Sequence, residues 1–234
     1  MSNIAIIPAR GGSKRLPRKN ILPILGKPML IWSCEAARDS ACFDQIIVST
    51  EDEEIANICQ KAGFTVDERP LHLATDIATS TSVCLDLIER LENKGKYFES
   101  VCLLYATAPL RSAGDIRNVM HILATHETDF VHAVTSYDAS PYQALYLDNQ
   151  GYLQPAWPLL INKKSQELPA PIHNNGSTYA ARISALKKYQ SFYGPKLKGY
   201  AMPKTRSVDI DTQEDLDILL ILAKHILTGE NEDA

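Results

Sequence analysis

Short apolar runs alternate with amphipathic stretches over most of the chain, and the two periods predict strands and helices in turn. The run Ile4-Ala5-Ile6-Ile7 is apolar at every position, which is the pattern of a parallel strand buried on both faces. Runs at 45–50, 64–67, 100–105 and 129–135 predict four more strands. Between them, residues 29–39 carry helical spacing. Asp52-Glu53-Glu54 opens a second helix, with carboxylates where the dipole favours them and Gly63 as its stop. Ser80 or Thr81 caps a third helix running through Leu91, and 112–125 forms a fourth. Repeated βα units of this kind imply an α/β fold with a mostly parallel sheet and right-handed crossovers.

Residues 138–172 break that rhythm. They are rich in Pro and Tyr and carry only short alternating pieces, which predicts an excursion from the sheet: a lid or a dimer arm. The rhythm resumes with a strand at 177–181, a helix at 183–189, a strand at 199–202 and a last helix at 212–227. Residues 228–234 read as a frayed tail.

Composition narrows the class. A chain of 234 residues suits one α/β domain over 1–234 and buries about 70% of its unfolded surface. A net charge of -4 argues against a nucleic-acid partner, and no apolar run reaches the length that spans a bilayer, so no membrane partner is expected. Five scattered cysteines without a C-x-x-C pair read as reduced core residues of a cytoplasmic protein.

Two segments carry chemistry. The first strand runs through Pro8 and Ala9 into a glycine-containing cationic loop: Arg10, Gly11, Gly12, Ser13, Lys14, Arg15, Arg18 and Lys19. A strand feeding such a loop places N–H groups and cations at the carboxyl end of a sheet, where open α/β sheets bind ligands. Five cations repel one another unless a polyanion sits among them, and a nucleoside triphosphate fits that need. Neither G-x-x-x-x-G-K-[ST] nor G-x-G-x-x-G is present. The second segment is Ser207-Val208-Asp209-Ile210-Asp211-Thr212. In extended backbone Asp209 and Asp211 share a face, and such a pair of hard oxygen ligands suits Mg²⁺. Asp211 or Thr212 also suits the cap of the last helix, with Glu214 and Asp215 in its first turn.

The stretch Ala9-Arg10-Gly11-Gly12-Ser13-Lys14, with Leu16-Pro17 and Lys19-Asn20, resembles the N-terminal signature of the cytidylyltransferases that activate nonulosonic acids. That signature is close to ARGGSK-x-[LI]-P-x-KN. The family's D-I-D-T-x-x-D occurs at 209–215, and its RP-x-x-LA-x-D-x-x-[ST] resembles the stretch from Arg69-Pro70 through Asp76 to Ser80. Its Pro-Leu-Arg resembles Pro109-Leu110-Arg111. The resemblance spans almost the whole chain. It implies a Rossmann-like sheet of the nucleotide-diphospho-sugar transferase type, a homodimer, and transfer of CMP from CTP to a sialic-acid-type sugar with release of pyrophosphate.

By that resemblance, Arg10, Ser13, Lys14 and Lys19 neutralise phosphates, and Ala9 and Gly11 line the CTP loop. Asn20 orients ribose or base, Arg69 contacts phosphate or holds its loop, and Ser80 contacts the nucleoside or caps its helix. Asp209 and Asp211 hold Mg²⁺. Arg111 is either a ligand contact or a structural ion-pair partner. Sugar contacts fall to Tyr105, Lys164, Gln166, His173, Asn175 and Tyr179. Tyr105, Ser140-Pro141-Tyr142 and His173 resemble the pseudaminic-acid enzymes. Asn175-Gly176 and the run 207–212 resemble the N-acylneuraminate ones, though Ser165 and His173 stand where those carry arginine. Two alternatives stay open: a CMP-Kdo synthetase or another sugar nucleotidylyltransferase, and a non-catalytic nucleotide-binding module.

Overall fold

The computed structural model describes residues 2–228. The tail expected at 228–234 therefore lies, apart from Thr228, outside the described residues. The chain runs through β1 (Asn3–Pro8), a small ribbon of β2 (Pro23–Ile24) and β3 (Lys27–Pro28), α1 (Met29–Ser40), β4 (Gln45–Thr50), α2 (Glu53–Lys61) and β5 (Thr65–Glu68). It continues with α3 (Ser80–Glu92), β6 (Ser100–Leu104), α4 (Ala113–Thr125), β7 (Phe130–Ser136), a hairpin of β8 (Leu145–Leu147) and β9 (Leu153–Pro155), β10 (Ile172–Arg182), α5 (Ile183–Tyr189), β11 (Leu197–Ala201) and α6 (Gln213–Thr228).

Seven strands form one sheet in the order β11-β7-β10-β6-β1-β4-β5. Side chains of β1 go alternately to its two faces. Ala5 and Ile7 join the layer of α1, α2 and α4 through Leu30, Cys34, Ile55, Ile116 and Val119. Ile4 and Ile6 join the layer of α3 and α5 through Leu87, Ile88 and Leu186. The uniformly apolar run of β1 reflects this burial on both faces.

The sheet is mostly parallel, with one reversal. β10 lies antiparallel to both β6 and β7, so the rhythm that resumes after the excursion does so in the opposite direction. β10 is also longer than the predicted 177–181, and its register shifts between Asn174 and Tyr179 around Gly176, whose φ is +66°. The expected cap of α3 moves by one residue: Thr79 accepts from the Ser82 N–H, and Ser80 and Thr81 occupy the first turn. Asp52 caps α2, and Ser112 with Asp115 forms a capping box on α4.

A third apolar cluster positions the chemistry. Leu16 from the basic loop, Ile24, Met29, Leu110 and Ile210 bury together with Leu216, Leu219 and Ala223 of α6. Ile210 is fully buried, so its neighbours Asp209 and Asp211 are directed away from it, as the alternation predicts. Burying side chains of this size contributes about 1.5–3 kcal/mol each. Leu16 and Ile210 thereby fasten two segments from opposite ends of the chain side by side.

Candidate active site

A cleft of about 320 Å³ opens at the carboxyl edge of the sheet, where β1 meets β6 on one side and β4 on the other. This is the switch point at which open α/β sheets take ligands, and the volume falls in the ~300–1,000 Å³ range of small-molecule sites. Its lining includes Arg10, Ser13, Arg15, Lys19, Asn20, Arg69, Ser80, Tyr105, Thr107, Asp209 and Asp211, with Asp76 on its rim. Lys14 lines the adjoining recess with Arg10, Arg15 and Asp76. The cationic loop and the two aspartates therefore share one site.

The loop is fastened by its own backbone and by carboxylates beneath it. Ala9 is fully buried and its N–H donates to the Ser49 carbonyl (3.0 Å). Asn20 is buried and its Nδ2 donates to the Arg10 carbonyl (2.9 Å), which fixes the loop's width. The Gly11 N–H donates to Glu51 Oε1 (2.8 Å), so this amide serves the fold. A Cβ on Gly11 would meet Asp52 Oδ2 at 2.2 Å, so only glycine fits there. Arg18 has a φ of 58° and pairs with Asp52 and Glu54, which anchors the loop to the start of α2.

The cations are not bare, contrary to the expectation that only a bound polyanion would relieve their repulsion. Arg10 and Lys14 both pair with Asp76 (2.8 and 2.5 Å). Arg15 and Lys19 both pair with Asp211 (2.6 and 2.8 Å), and Lys19 also donates to the Ile210 carbonyl (2.8 Å). Burial opposes the charge on Asp211, yet Lys19 and then Arg15 hold its carboxyl below the usual range. Asp209 shows the reverse. Crowding by protein pushes its carboxyl up and the nearby Asp211 charge adds to the rise, while a hydrogen bond from Thr107 opposes it. A Cβ on Gly176 would meet Asp209 Oδ2 at 2.6 Å, so the bulge in β10 is what admits this carboxylate.

Two arginines serve the scaffold. Arg69 lines the wall but is buried, donating from Nε to Ser49 Oγ (3.4 Å) and lying 3.7 Å from Glu51, which supports the loop-holding alternative. Arg111 is fully enclosed and has no carboxylate partner among the described residues, so the ion-pair alternative does not hold. Its Nη1 donates to the carbonyls of Tyr105 (3.2 Å) and Ser177 (2.7 Å), and burial pushes the guanidinium down to about 10. It joins β6 to β10 where both reach the site.

The expected sugar contacts are dispersed. Of the six, Tyr105 lines the cleft. Tyr179 is buried behind it, edge-on at 5.6 Å, with its hydroxyl donating to Asn174 Oδ1 (2.7 Å). Asn175 is buried, and its Nδ2 donates to Ser207 Oγ (2.9 Å), tying β10 to the acidic segment. His173 lies against Tyr137 with ring centroids 4.5 Å apart and the planes tilted by 46°, and Lys164 and Gln166 are exposed in the excursion. β10 runs antiparallel to β7, so His173 and Ile172 lie opposite Thr135 and Ser136 at the carboxyl end of that strand, and Asn174 lies opposite Val134.

Sequence reasoning counted Arg15 only as one of the loop's cations and assigned no role to Asp76 or Thr107. Arg15 and Asp76 stand within the quoted motifs, and Thr107 follows the fourth strand at the edge where ligands bind. Proximity to those motifs was the available signal.

Comparison with known proteins agrees with this geometry. The cytidylyltransferase family model matches residues 4–150. A pseudaminic acid cytidylyltransferase from Campylobacter jejuni is 34% identical over 96% of this chain and 97% of that protein. An N-acylneuraminate cytidylyltransferase from Streptococcus agalactiae is 33% identical over 92% of this chain and 52% of its own length. The solved structure of a CMP:2-keto-3-deoxy-manno-octonic acid synthetase complexed with CTP shares the fold, with a TM-score of 0.72 at 18% identity over 96% of this chain and 99% of that one.

Proposed function

Because the chain belongs to the cytidylyltransferase family, we propose that it transfers the cytidylyl group of CTP to a nonulosonic acid, giving a CMP-sugar and pyrophosphate. The observation that carries this reading is the convergence of Arg10, Lys14, Arg15 and Lys19 with Asp209 and Asp211 in one cleft. In the proposed reaction the 2-hydroxyl of the sugar attacks the α-phosphorus as the bond to the β-phosphate oxygen breaks. Such a substitution needs position and charge neutralisation more than covalent help. Arg10, Lys14 and Lys19 neutralise the triphosphate and then the departing pyrophosphate, and Ser13 offers a further donor. Asn20 holds the loop at the width the nucleotide needs, and Ser80 with Tyr105 bounds the nucleoside side.

Among the described residues no cluster of three or more His, Cys, Asp or Glu could hold a metal ion. Two carboxylates on one cleft wall nevertheless fit Mg²⁺, which keeps several waters and takes its other ligands from substrate phosphates. Asp209 and Asp211 would hold it. When bound, it supplies positive charge at the phosphate oxygens.

For the acceptor we propose pseudaminate, supported by Tyr105, Ser140-Pro141-Tyr142 and His173. N-acylneuraminate is the second reading, favoured by Asn175-Gly176 and the run 207–212. The excursion supports a homodimer as a further proposal: Tyr146, Leu147, Leu153 and Leu159 are exposed on it, and a second copy is the partner that would cover them. The cysteines are free and four of the five are buried, which fits a reducing cytoplasmic setting. No described helix is long and apolar enough to cross a membrane.

The test is pyrophosphate release from CTP and Mg²⁺ with pseudaminate, N-acetylneuraminate, legionaminate and Kdo offered in parallel. Release with pseudaminate is expected. Release only with Kdo would move the acceptor to the cousin class, and no release with any sugar despite CTP binding would favour the binding-module alternative.

A further inference from the structure

Asp76 sits on an exposed turn between a 3-10 turn at Leu71–Leu73 and Thr79, the cap of α3. Several aspartates of this protein have local structural work. Asp52, Asp115, Asp148 and Asp215 each accept backbone N–H bonds close in sequence. Asp76 differs. Among the described residues no backbone N–H donates to it, and the turn is closed instead by the Ala78 N–H on Thr75 Oγ1 (3.3 Å). Its carboxylate is spent on two cations far away in sequence, Lys14 (2.5 Å) and Arg10 (2.8 Å), and Arg10 also reaches the Thr75 carbonyl (3.4 Å). Lys14 first and Arg10 second hold the Asp76 carboxyl below its ordinary value. The turn thus presents an anion to the same two side chains that a triphosphate would need.

We infer that Asp76 is a resident counter-anion of the triphosphate site. It occupies Arg10 and Lys14 while the cleft holds no nucleotide, yields them to phosphate oxygens when CTP enters, and competes for them again as pyrophosphate leaves. The inference rests on the triphosphate reading of the cleft given above. Its physical basis is that the same cations cannot fully serve two anions. Asp76 is half exposed, so each pair is individually weak and readily broken by a ligand carrying several charged oxygens. The carboxylate therefore lowers the affinity for CTP and pyrophosphate alike without blocking either. An enzyme that must shed a polyanionic product each cycle gains from such a competitor. A residue that merely organised the turn would have the opposite effect, because its loss would loosen the site.

The test is calorimetric titration of the folded full chain with CTP in the absence of acceptor, and with inorganic pyrophosphate, both with Mg²⁺. Asp76→Asn should bind both ligands roughly two- to tenfold more tightly, the range set by relieving two exposed ion pairs. Asp76→Glu should return to the wild-type values. Glu92→Gln, which removes an exposed ion pair to Lys187 on other elements, should change neither affinity. Thermal melting checks that each variant is folded. Unchanged or weaker binding by folded Asp76→Asn, beside normal wild-type binding, would overturn the inference alone. Failure of the folded wild type to bind CTP would overturn the proposed function, and the inference with it.

Discussion

At the carboxyl edge of the sheet, Leu16 and Ile210 are buried and every cation of the flanking loop meets a carboxylate of the same chain. Across 138–172 the arrangement is inverted. Leu147 and Leu159 are 71% and 88% exposed, the β8–β9 hairpin forms its own two-stranded sheet, and Lys164 and Gln166 are exposed. The first region is complete within one chain, which is what a site for a highly charged nucleotide requires, since its groups must be held before the ligand arrives. The second is unfinished as it stands. Its apolar surface is uncovered, and of the residues expected to read the sugar Lys164 and Gln166 lie exposed on the arm, while Tyr105 lines the cleft and Tyr179 stands behind it. The contrast is what the proposed function would produce if one chain handled the nucleotide and a second copy completed the sugar pocket.

The sharpest way to break the contrast is to make the arm polar. Leu147→Asp combined with Leu159→Asp should leave a folded protein by circular dichroism. Hot-spot truncations at interfaces cost about 2 kcal/mol or more each, so the dimer proposed above should dissociate in light scattering and acceptor-dependent turnover should fall by at least about tenfold. Unchanged mass and turnover would make the arm a bystander. A smaller effect is expected from Gly176→Ala, which combines a φ of +66° with a Cβ 2.6 Å from Asp209 Oδ2. Strain of this kind costs about 1–3 kcal/mol. Because its relief moves Asp209, kcat should fall several-fold or more while the melting temperature drops modestly.

An effect on stability alone, and the smallest expected on turnover, should come from the interior. His132 is buried between Tyr179 and Tyr193, and burial pushes it down to about 4 from an ordinary 6.5. The unfolded chain takes up this proton first, so stability should be constant above about pH 6.5 and fall as the pH drops towards 4. The loss attributable to His132 is on the order of 3 kcal/mol across that window. Denaturant titrations of wild type and His132→Phe at several pH values should show the slope flattened in the variant.

Much of this was legible in the chain because single elements carry their own period. The strand at 45–50 and the helix at 183–189 match their predicted limits, and the alternation about Ile210 correctly gave one buried and two cleft-facing side chains. What the pattern did not carry was pairing. The direction of β10 is fixed by where the excursion returns the chain, and an apolar strand reads the same in either direction. The partnership of Lys14 with Asp76, and that of Lys19 with Asp211 at the far end of the chain, depend on tertiary folding, so neither charge revealed that it was already answered. Asn175 and Tyr179 read as ligand contacts in one dimension; in three, Asn175 also ties β10 to the acidic segment and Tyr179 also backs the cleft wall.

The most direct test of the central claim, that the cationic loop and the acidic pair form one cytidylyl-transfer site, is the rate of pyrophosphate release from CTP by wild type and Asp211→Ala at saturating acceptor. The claim predicts turnover by wild type and a fall on the order of a hundredfold or more in the variant, the size associated with losing a charge-stabilising group at a reacting phosphate. Wild-type turnover in a folded Asp211→Ala protein would contradict it.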